Sequence, residues 1–264
     1  MELHTITEAV VKCAKEAGGF IREERKTFSY SKVEIKGLND LVSYVDKTAE
    51  QLIVKGLSAV MPEAGFITEE NTRSEIKDYN WIIDPLDGTT NFVHGIPCYA
   101  VSIALEHKGE VIAGVVYEIV HDECFSAYKN GGAFLNGVKI SVSERATLKD
   151  SLIATGFPIY NFTRLDGYLK ALTHLMKNTH GLRRIGSAAT DLCYVACGRM
   201  DAYFEYNLNS WDVAAGALIV KEAGGIICDF SKGNNWLFGR EVIASNKNLQ
   251  AEFEKVVSES FTEN

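Results

Sequence analysis

Residues 81–92, Trp-Ile-Ile-Asp-Pro-Leu-Asp-Gly-Thr-Thr-Asn-Phe, hold the chain's densest chemistry. An apolar burst, Trp81-Ile82-Ile83, runs straight into two carboxylates three apart, Asp84 and Asp87. Pro85 between them fixes its own φ and supplies no N–H. A turn at this point can bring Asp84, Asp87 and the Leu86 carbonyl together. Those are hard oxygen donors, suited to Mg²⁺ rather than to zinc. Gly88 lets the backbone approach a ligand closely. Thr89 and Thr90 add hydroxyls, and the N–H groups from Gly88 onward can open a short helix that takes an anion. Taken as isolated dipeptides, the same residues read as a strand end with an Asp-Pro turn and an N-cap at Asp87. The block as a whole favours a metal–phosphate site.

Two more segments end or begin in acids. Phe66-Ile67-Thr68-Glu69-Glu70 is a short apolar run closing on paired carboxylates, either solvated or, at Glu69, part of a carboxylate cluster. Trp211-Asp212 opens an apolar stretch in which Ala214, Ala215 and Gly216 allow tight helix packing. Alone, Asp212 needs no role beyond that of a first-turn acid. Beside the first block it becomes a candidate metal ligand.

The elements that must carry these residues are legible from periodicity. Ile6, Val10, Cys13, Ala14, Ala17, Phe20 and Ile21 recur at the helical spacing. Residues 40–61 form a second amphipathic run, capped at Asn39 or Asp40 and stopped by Pro62. Residues 99–105, 111–117 and 123–128 read as successive strands, with Lys108-Gly109 and Asn136-Gly137 as hairpin turns. An antiparallel meander with helices on its face is expected. Further on, residues 165–177, 187–197, 211–223 and 249–258 read as helices. Residues 202–205, 226–228 and 242–244 read as short strands, and Gly224-Gly225 closes the third helix. Helices and sheets in layers follow.

Composition bounds the rest. The chain has 264 residues, 46% hydrophobic and 23% charged, close to globular averages. No apolar run approaches the roughly 18–20 residues that span a bilayer. The first residues lack a basic and apolar leader, so a cytoplasmic protein is expected. With 27 basic and 35 acidic residues the net charge is −8, which disfavours nucleic-acid or anionic-membrane partners. The six cysteines form no C-x-x-C pair and read as small buried hydrophobes. No repeat or linker appears. A single compact unit over 1–264 is expected, divisible into an α+β half near 1–145 and an α/β half near 146–264.

Residues 81–94 and 211–225 together resemble the two signature blocks of the inositol monophosphatase family. The order agrees: Glu69-Glu70, Asp84-Pro-Leu-Asp-Gly-Thr, Gly186-Ser187-Ala188-Ala189, Glu205, then Trp211-Asp212. The resemblance runs from about residue 37 to residue 246. It implies a layered αβαβα fold and a Mg²⁺-dependent phosphomonoesterase that hydrolyses inositol 1-phosphate with metal-activated water. It also implies metal ligands at Glu69, Asp84, the Leu86 carbonyl, Asp87 and Asp212. Thr89 matches the threonine that helps Glu69 orient the water, and Asp46 matches the acid that hydrogen-bonds it. Gly88 and Thr89 match the phosphate contacts. Gly186, Ser187, Ala188 and Glu205, with Asp87 and Asp212, match positions that hold the substrate. Lithium sensitivity, a homodimer and a small phosphorylated polyol substrate are implied in the same way.

Physical chemistry agrees with that assignment. A phosphate dianion does not approach such a cluster of carboxylates unaided, and bound cations invert the local field. Three places depart from the family pattern, one of them Lys36-Gly37, which sits one residue closer to Asp40 than the matching lysine of animal relatives. Asn207 stands where many relatives have glycine, and asparagine tolerates the left-handed region best among other residues. Asn209 is neutral where relatives carry a basic residue or histidine. Fructose 1,6-bisphosphate, a 3′-phosphoadenosine nucleotide or histidinol phosphate are rival substrates. A bisphosphate would want a basic cluster near the pocket; Arg183-Arg184 is the candidate, read here rather as solvated or as part of a subunit interface. A non-catalytic binding or regulatory protein on the same fold is the rival of a different class.

Overall fold

In the computed structural model, residues 2–29, 33–37, 40–158 and 161–261 are described, with 33–37 and 40–42 in backbone only. The first part of the chain runs α1 (Leu3–Thr27), β1 (Val33–Gly37), β2 (Asp40–Ser43), α2 (Tyr44–Val60), β3 (Gly65–Thr68), β4 (Tyr79–Asp87) and α3 (Thr89–His94). Strands β5 (Ala100–His107), β6 (Glu110–Glu118), β7 (Glu123–Tyr128), β8 (Gly132–Leu135) and β9 (Val138–Ile140) follow. The second part runs β10 (Leu152–Thr155), α4 (Leu165–Asn178), β11 (Gly181–Arg183), α5 (Ala188–Ala196), β12 (Ala202–Tyr206) and α6 (Ser210–Glu222). It ends with β13 (Ile226–Cys228), β14 (Glu241–Ser245) and α7 (Gln250–Phe261).

Two main sheets result. The larger is ordered β3-β4-β5-β6-β7-β8-β9, and β4 to β9 form an antiparallel meander of which β5, β6 and β7 are the strands expected from the sequence. Only its first pair, β3 with β4, is parallel. The smaller is ordered β11-β10-β12-β14-β13, with β10 parallel to both neighbours. Three apolar cores separate the layers. One packs α1 and α2 on the outer face of the larger sheet. The second holds α5 and α6 between the sheets. The third packs α4 and α7 on the far face of the smaller sheet. The order of layers is therefore αβαβα.

Local signals set most element ends. Lys108, Gly109, Asn136 and Gly137 all have positive φ, as the twist of a two-residue hairpin turn demands. The run 40–61 is not one helix. Asp40 lies on β2, Asn39 lies outside the described residues, and α2 starts after Ser43. Ser43 is its cap: the Ser43 hydroxyl accepts the Val45 N–H at 3.1 Å, and Asp46 accepts the Ser43 N–H at 2.8 Å. Such a capping box at the junction outcompetes the amphipathic pattern upstream. All six cysteines are free, and all but Cys197 are buried.

Helix α6 is buried almost all round, and its small residues make this possible. A Cβ on Gly114 of β6 would lie 3.0 Å from the Ala215 Cα, and one on Gly216 would lie 2.7 Å from the Leu192 Cβ. Backbone meets backbone at the first contact, so little can yield. Gly114→Val is expected to cost about 1–3 kcal/mol through overpacking, read as a lowered midpoint in thermal unfolding. A wild-type midpoint would show that α6 slides freely on the sheet.

Candidate functional site

The Asp84–Asp87 segment gets its geometry from a strand irregularity. Along a strand, residues three apart point to opposite faces. In β4, Asp84 pairs with Ser102 and Asp87 with Ala100, three residues against two. Such a bulge turns both carboxylates to one side. Asp84 is buried, and Asp87 is half-buried. The Leu86 N–H donates to Asp84 Oδ1 at 2.9 Å. Parallel pairing of Thr68 with Ile83 sets the next residue, Glu69, beside Asp84, and the Glu69 N–H donates to the Ile83 carbonyl at 3.2 Å. Asp212 arrives from α6, where it accepts the Asn209 N–H at 2.6 Å. Its role as a first-turn acid and its place beside the other acids therefore coexist.

These residues line one cleft with about 150 Å³ of room. Glu69, Asp84, Leu86, Asp87, Gly88, Thr89, Gly186, Ser187, Ala188, Glu205 and Asp212 all border it. Of the residues expected from the sequence, only Asp46 stands behind the wall. It accepts the Thr89 hydroxyl at 2.9 Å through Oδ1, while Ser43 donates to its Oδ2 at 2.7 and 2.8 Å. The Thr89 oxygen also lies 3.0 Å from the Leu86 carbonyl. Gly88 has φ +93°, and a Cβ there would crowd the Cys98 and Gly186 carbonyls at 3.1 and 3.2 Å. On the other side, Asp87 Oδ2 accepts the Ser187 hydroxyl at 2.6 Å and the Ala189 N–H at 2.7 Å. Ser187 caps α5, so Asp87 ties the larger sheet to that helix.

Burial and like charge dominate the electrostatics. Burial pushes Asp84 up, and the charges of Glu69, Asp87 and Asp212 push it further. Asp87 is raised to about 6 by burial, against the Ser187 and Ala189 hydrogen bonds. Asp212 is raised to about 8 by burial and then by Asp87. Glu205 is raised to about 7, again by burial, with Tyr203 and Arg184 opposing.

The family model for the inositol monophosphatase family matches residues 2–261. An inositol-1-monophosphatase of Mesorhizobium japonicum is 40% identical over 259 residues, 97% of each chain. The Nus factor SuhB of Pseudomonas aeruginosa is 42% identical over 242 residues, 89% of each chain. The crystal structure of the extragenic suppressor protein suhB of Bartonella henselae superposes with a TM-score of 0.91 at 41% identity, covering 96% of this chain and 98% of that one.

The chain belongs to the inositol monophosphatase family. This metal-dependent family needs a donor set for a hard cation, and three aspartates, a glutamate and a backbone carbonyl supply one. Among the described residues no three Asp, Glu, His or Cys side chains close onto one point. Asp84 instead feels burial together with the charges of Glu69, Asp87 and Asp212. Hard oxygens crowded into one another's field fit a divalent cation that relieves that repulsion.

The sequence reading misplaced Arg184 and missed Asp191 and Tyr203 around this cleft. Arg184 lines it, stacked 5.4 Å over the Phe157 ring, and its charge acts on Asp87, Glu205 and Asp191. Expected in solvent or at an interface, it instead brings positive charge to the pocket. The Arg pair is split because successive residues diverge: Arg183 ends β11, exposed, on the Leu182 carbonyl. Asp191 is buried in α5, lines the cleft and keeps one oxygen without a partner among the described residues. An acid inside the apolar run 188–196 was the available signal. The Tyr203 hydroxyl donates to Glu205, a pair that strand alternation in β12 could have suggested. Asn207 has φ +69°, the left-handed turn that asparagine tolerates. Asn209 accepts from the Arg240 guanidinium at 2.9 Å, so a cation adjoins that position from elsewhere in the chain.

Asp87, Glu205 and Asp212 hold protons more tightly here than in an unfolded chain. Their stabilising effect is complete below the unfolded carboxylate range and lost as pH rises through about 6 to 8. The EDTA-treated protein should therefore lose thermal stability between about pH 5 and pH 9. A divalent cation competes with those protons and stabilises by mass action. Its gain in melting temperature should grow over the same range, and equal gains at both ends would show that these acids do not titrate.

Proposed function

We propose that the chain is a Mg²⁺-dependent phosphomonoesterase for a small phosphorylated polyol, with inositol 1-phosphate as its leading substrate and water as the nucleophile. The observation that carries this reading is the shared cleft. Four carboxylates and the Asp46–Thr89 hydrogen bond border the same space as the Tyr203-held Glu205. Family membership supports a phosphatase, and the Mesorhizobium relative carries the inositol-1-monophosphatase name.

Glu69, Asp84, Asp87, Asp212 and the Leu86 carbonyl would hold the cation. When bound, it neutralises the phosphate dianion and acidifies water in the cleft. The chain's own groups do the rest. The Thr89 hydroxyl carries one proton and has two acceptors in reach, Asp46 and the Leu86 carbonyl. Donation to Asp46 leaves the Leu86 oxygen for the cation and the Thr89 lone pairs to accept a hydrogen bond from the attacking water. Glu69 takes the one proton that this water loses as its oxygen bonds phosphorus, and an equivalent proton ends on the leaving alkoxide, giving the alcohol and hydrogen phosphate. The first N–H groups of α3, at Gly88 and Thr89, have no partner within the helix and can donate to phosphate oxygens. Glu205 accepts from ring hydroxyls, and Gly186, Ser187 and Ala188 shape the wall beside it.

Arg184 favours a second reading within the same chemistry. A guanidinium in an otherwise acidic cleft suits an ester with a second anionic group, such as fructose 1,6-bisphosphate or a 3′-phosphoadenosine nucleotide. Phosphate release should be measured from these esters, inositol 1-phosphate and histidinol phosphate, each with Mg²⁺ and with EDTA. The leading reading expects Mg²⁺-dependent release that is greatest from inositol 1-phosphate, and inhibition by Li⁺. A bisphosphate preference that Arg184→Ala reverses would support the second reading. No release from folded protein would remove both, and would favour a binding role of the kind the Nus factor names suggest for relatives.

Two variants test the residue roles. Thr89→Ala should lower kcat by about 10²–10⁴-fold with little change in KM. In Asp87→Asn the amide oxygen can keep Ser187 and Ala189, so a folded protein without turnover is expected, checked by circular dichroism beside the phosphate assay. Wild-type turnover in either variant removes that residue from the mechanism.

A further inference from the structure

Glu69 is not on a regular element. It begins the ten-residue connection between β3 and β4, residues 69–78. Such a segment moves unless something holds it. Its later residues are held by the backbone bonds between Phe66 and Glu75 and by the Thr68 hydroxyl on the Arg73 carbonyl, and the turn next to Glu69 is held by Glu50. It lies on α2 and is fully buried, at 0% exposure. Its Oε2 accepts the Glu70 N–H at 2.7 Å, and its Oε1 accepts the Thr72 N–H at 2.7 Å. Asn71 between them has φ +55°, which turns the two amides toward one point. Successive amides arranged this way form an anion-binding concavity. A buried carboxylate is costly unless hydrogen-bonded, and charge-assisted bonds of this length are strong.

Glu50 sits four residues after Asp46, on the same face of α2. From that one face, Asp46 takes the Thr89 hydroxyl and Glu50 takes the turn that follows Glu69. We infer that Glu50 is a positioning residue for Glu69, and that α2 aligns both groups that handle the attacking water. The inference rests on the function proposed above only through the role of Glu69. Asp46 sets the acceptor direction of Thr89, and Glu50 sets where the Glu69 carboxylate stands relative to Asp84.

The test uses Glu50→Gln, whose side chain keeps one acceptor oxygen but turns an NH₂ group toward an N–H. Amide hydrogen exchange at Glu70 and Thr72, in metal-free protein, should rise. Mn²⁺ binding, followed calorimetrically without substrate, should weaken by about 10–100-fold, the usual effect of losing a group that orients a ligand. The kcat should fall by a similar factor, with KM within about threefold. Glu50→Asp, which restores the carboxylate on a shorter arm, should recover part of the Mn²⁺ affinity. In a Glu69→Gln background, Glu50→Gln should have no further effect on Mn²⁺ binding, because the coupling between the two residues is then already lost.

A purely structural Glu50 would lower the melting temperature and raise exchange while leaving Mn²⁺ affinity and kcat at wild-type values. That result overturns the inference, as does full additivity with Glu69→Gln. If wild-type protein binds Mn²⁺ but releases no phosphate from any ester, the proposed function fails while the Mn²⁺ measurements still decide the role of Glu50. Wild-type protein that binds no Mn²⁺ overturns both.

Discussion

Mutual repulsion among carboxylates is the constraint the rest of this molecule must meet. Glu69, Asp84, Asp87 and Asp212 share one cleft, and at Asp84 the other three charges add to the effect of burial. In an unfolded chain these acids are spread from residue 69 to residue 212 and hydrated. Folding brings them together against their own field, so their supports must be stiff. Each aspartate spends one oxygen on a backbone amide: Leu86 for Asp84, Ala189 for Asp87, Asn209 for Asp212. One oxygen is thereby held in place and the direction of the other is set.

Stiffness of that kind needs attachment to regular elements, and the layers provide it. Asp84 and Asp87 end a strand inside a seven-stranded sheet, and Asp212 begins a helix buried between the two sheets. Helix α6 approaches the sheet so closely only because Gly114 faces Ala215. The bond from Ser187 to Asp87 and those from Asn91 to the Ile185 and Gly186 carbonyls join the two parts of the chain at the cleft. The site is therefore a seam, assembled from both sheets and from the helices packed between them.

Charge balance within the seam bears on what enters it. Among the described lining residues acids outnumber bases, and of those residues Arg184 alone carries a permanent positive charge. It lowers the proton affinity of Asp87, Glu205 and Asp191 from one position. Glu205 faces both that guanidinium and the Tyr203 hydroxyl. A hydroxyl-rich leaving group and an anionic one would thus read different neighbours within a single pocket.

Much of this was legible in the sequence. Helix and strand periodicities, the hairpin turns at 108–109 and 136–137, and the acids at 69, 84, 87 and 212 rest on interactions within a few residues. The left-handed turn at Asn207 came instead from the resemblance, since many relatives have glycine at that place. The resemblance to a family supplied the layered fold. What local pattern could not supply was decided by contacts between residues far apart in the chain. The bulge between Asp84 and Asp87 exists only against the register of β5. The Ser43–Asp46 capping box is local, but the other oxygen of Asp46 finds its partner only in Thr89, 43 residues further on. Arg184 enters the cleft because β11 ends there. Glu50 reads as one more polar residue of an amphipathic helix until the 69–72 turn folds over it. Residue chemistry and short-range propensity are written along the chain, whereas the convergence of charges on one cleft depends on packing, which a linear pattern does not contain.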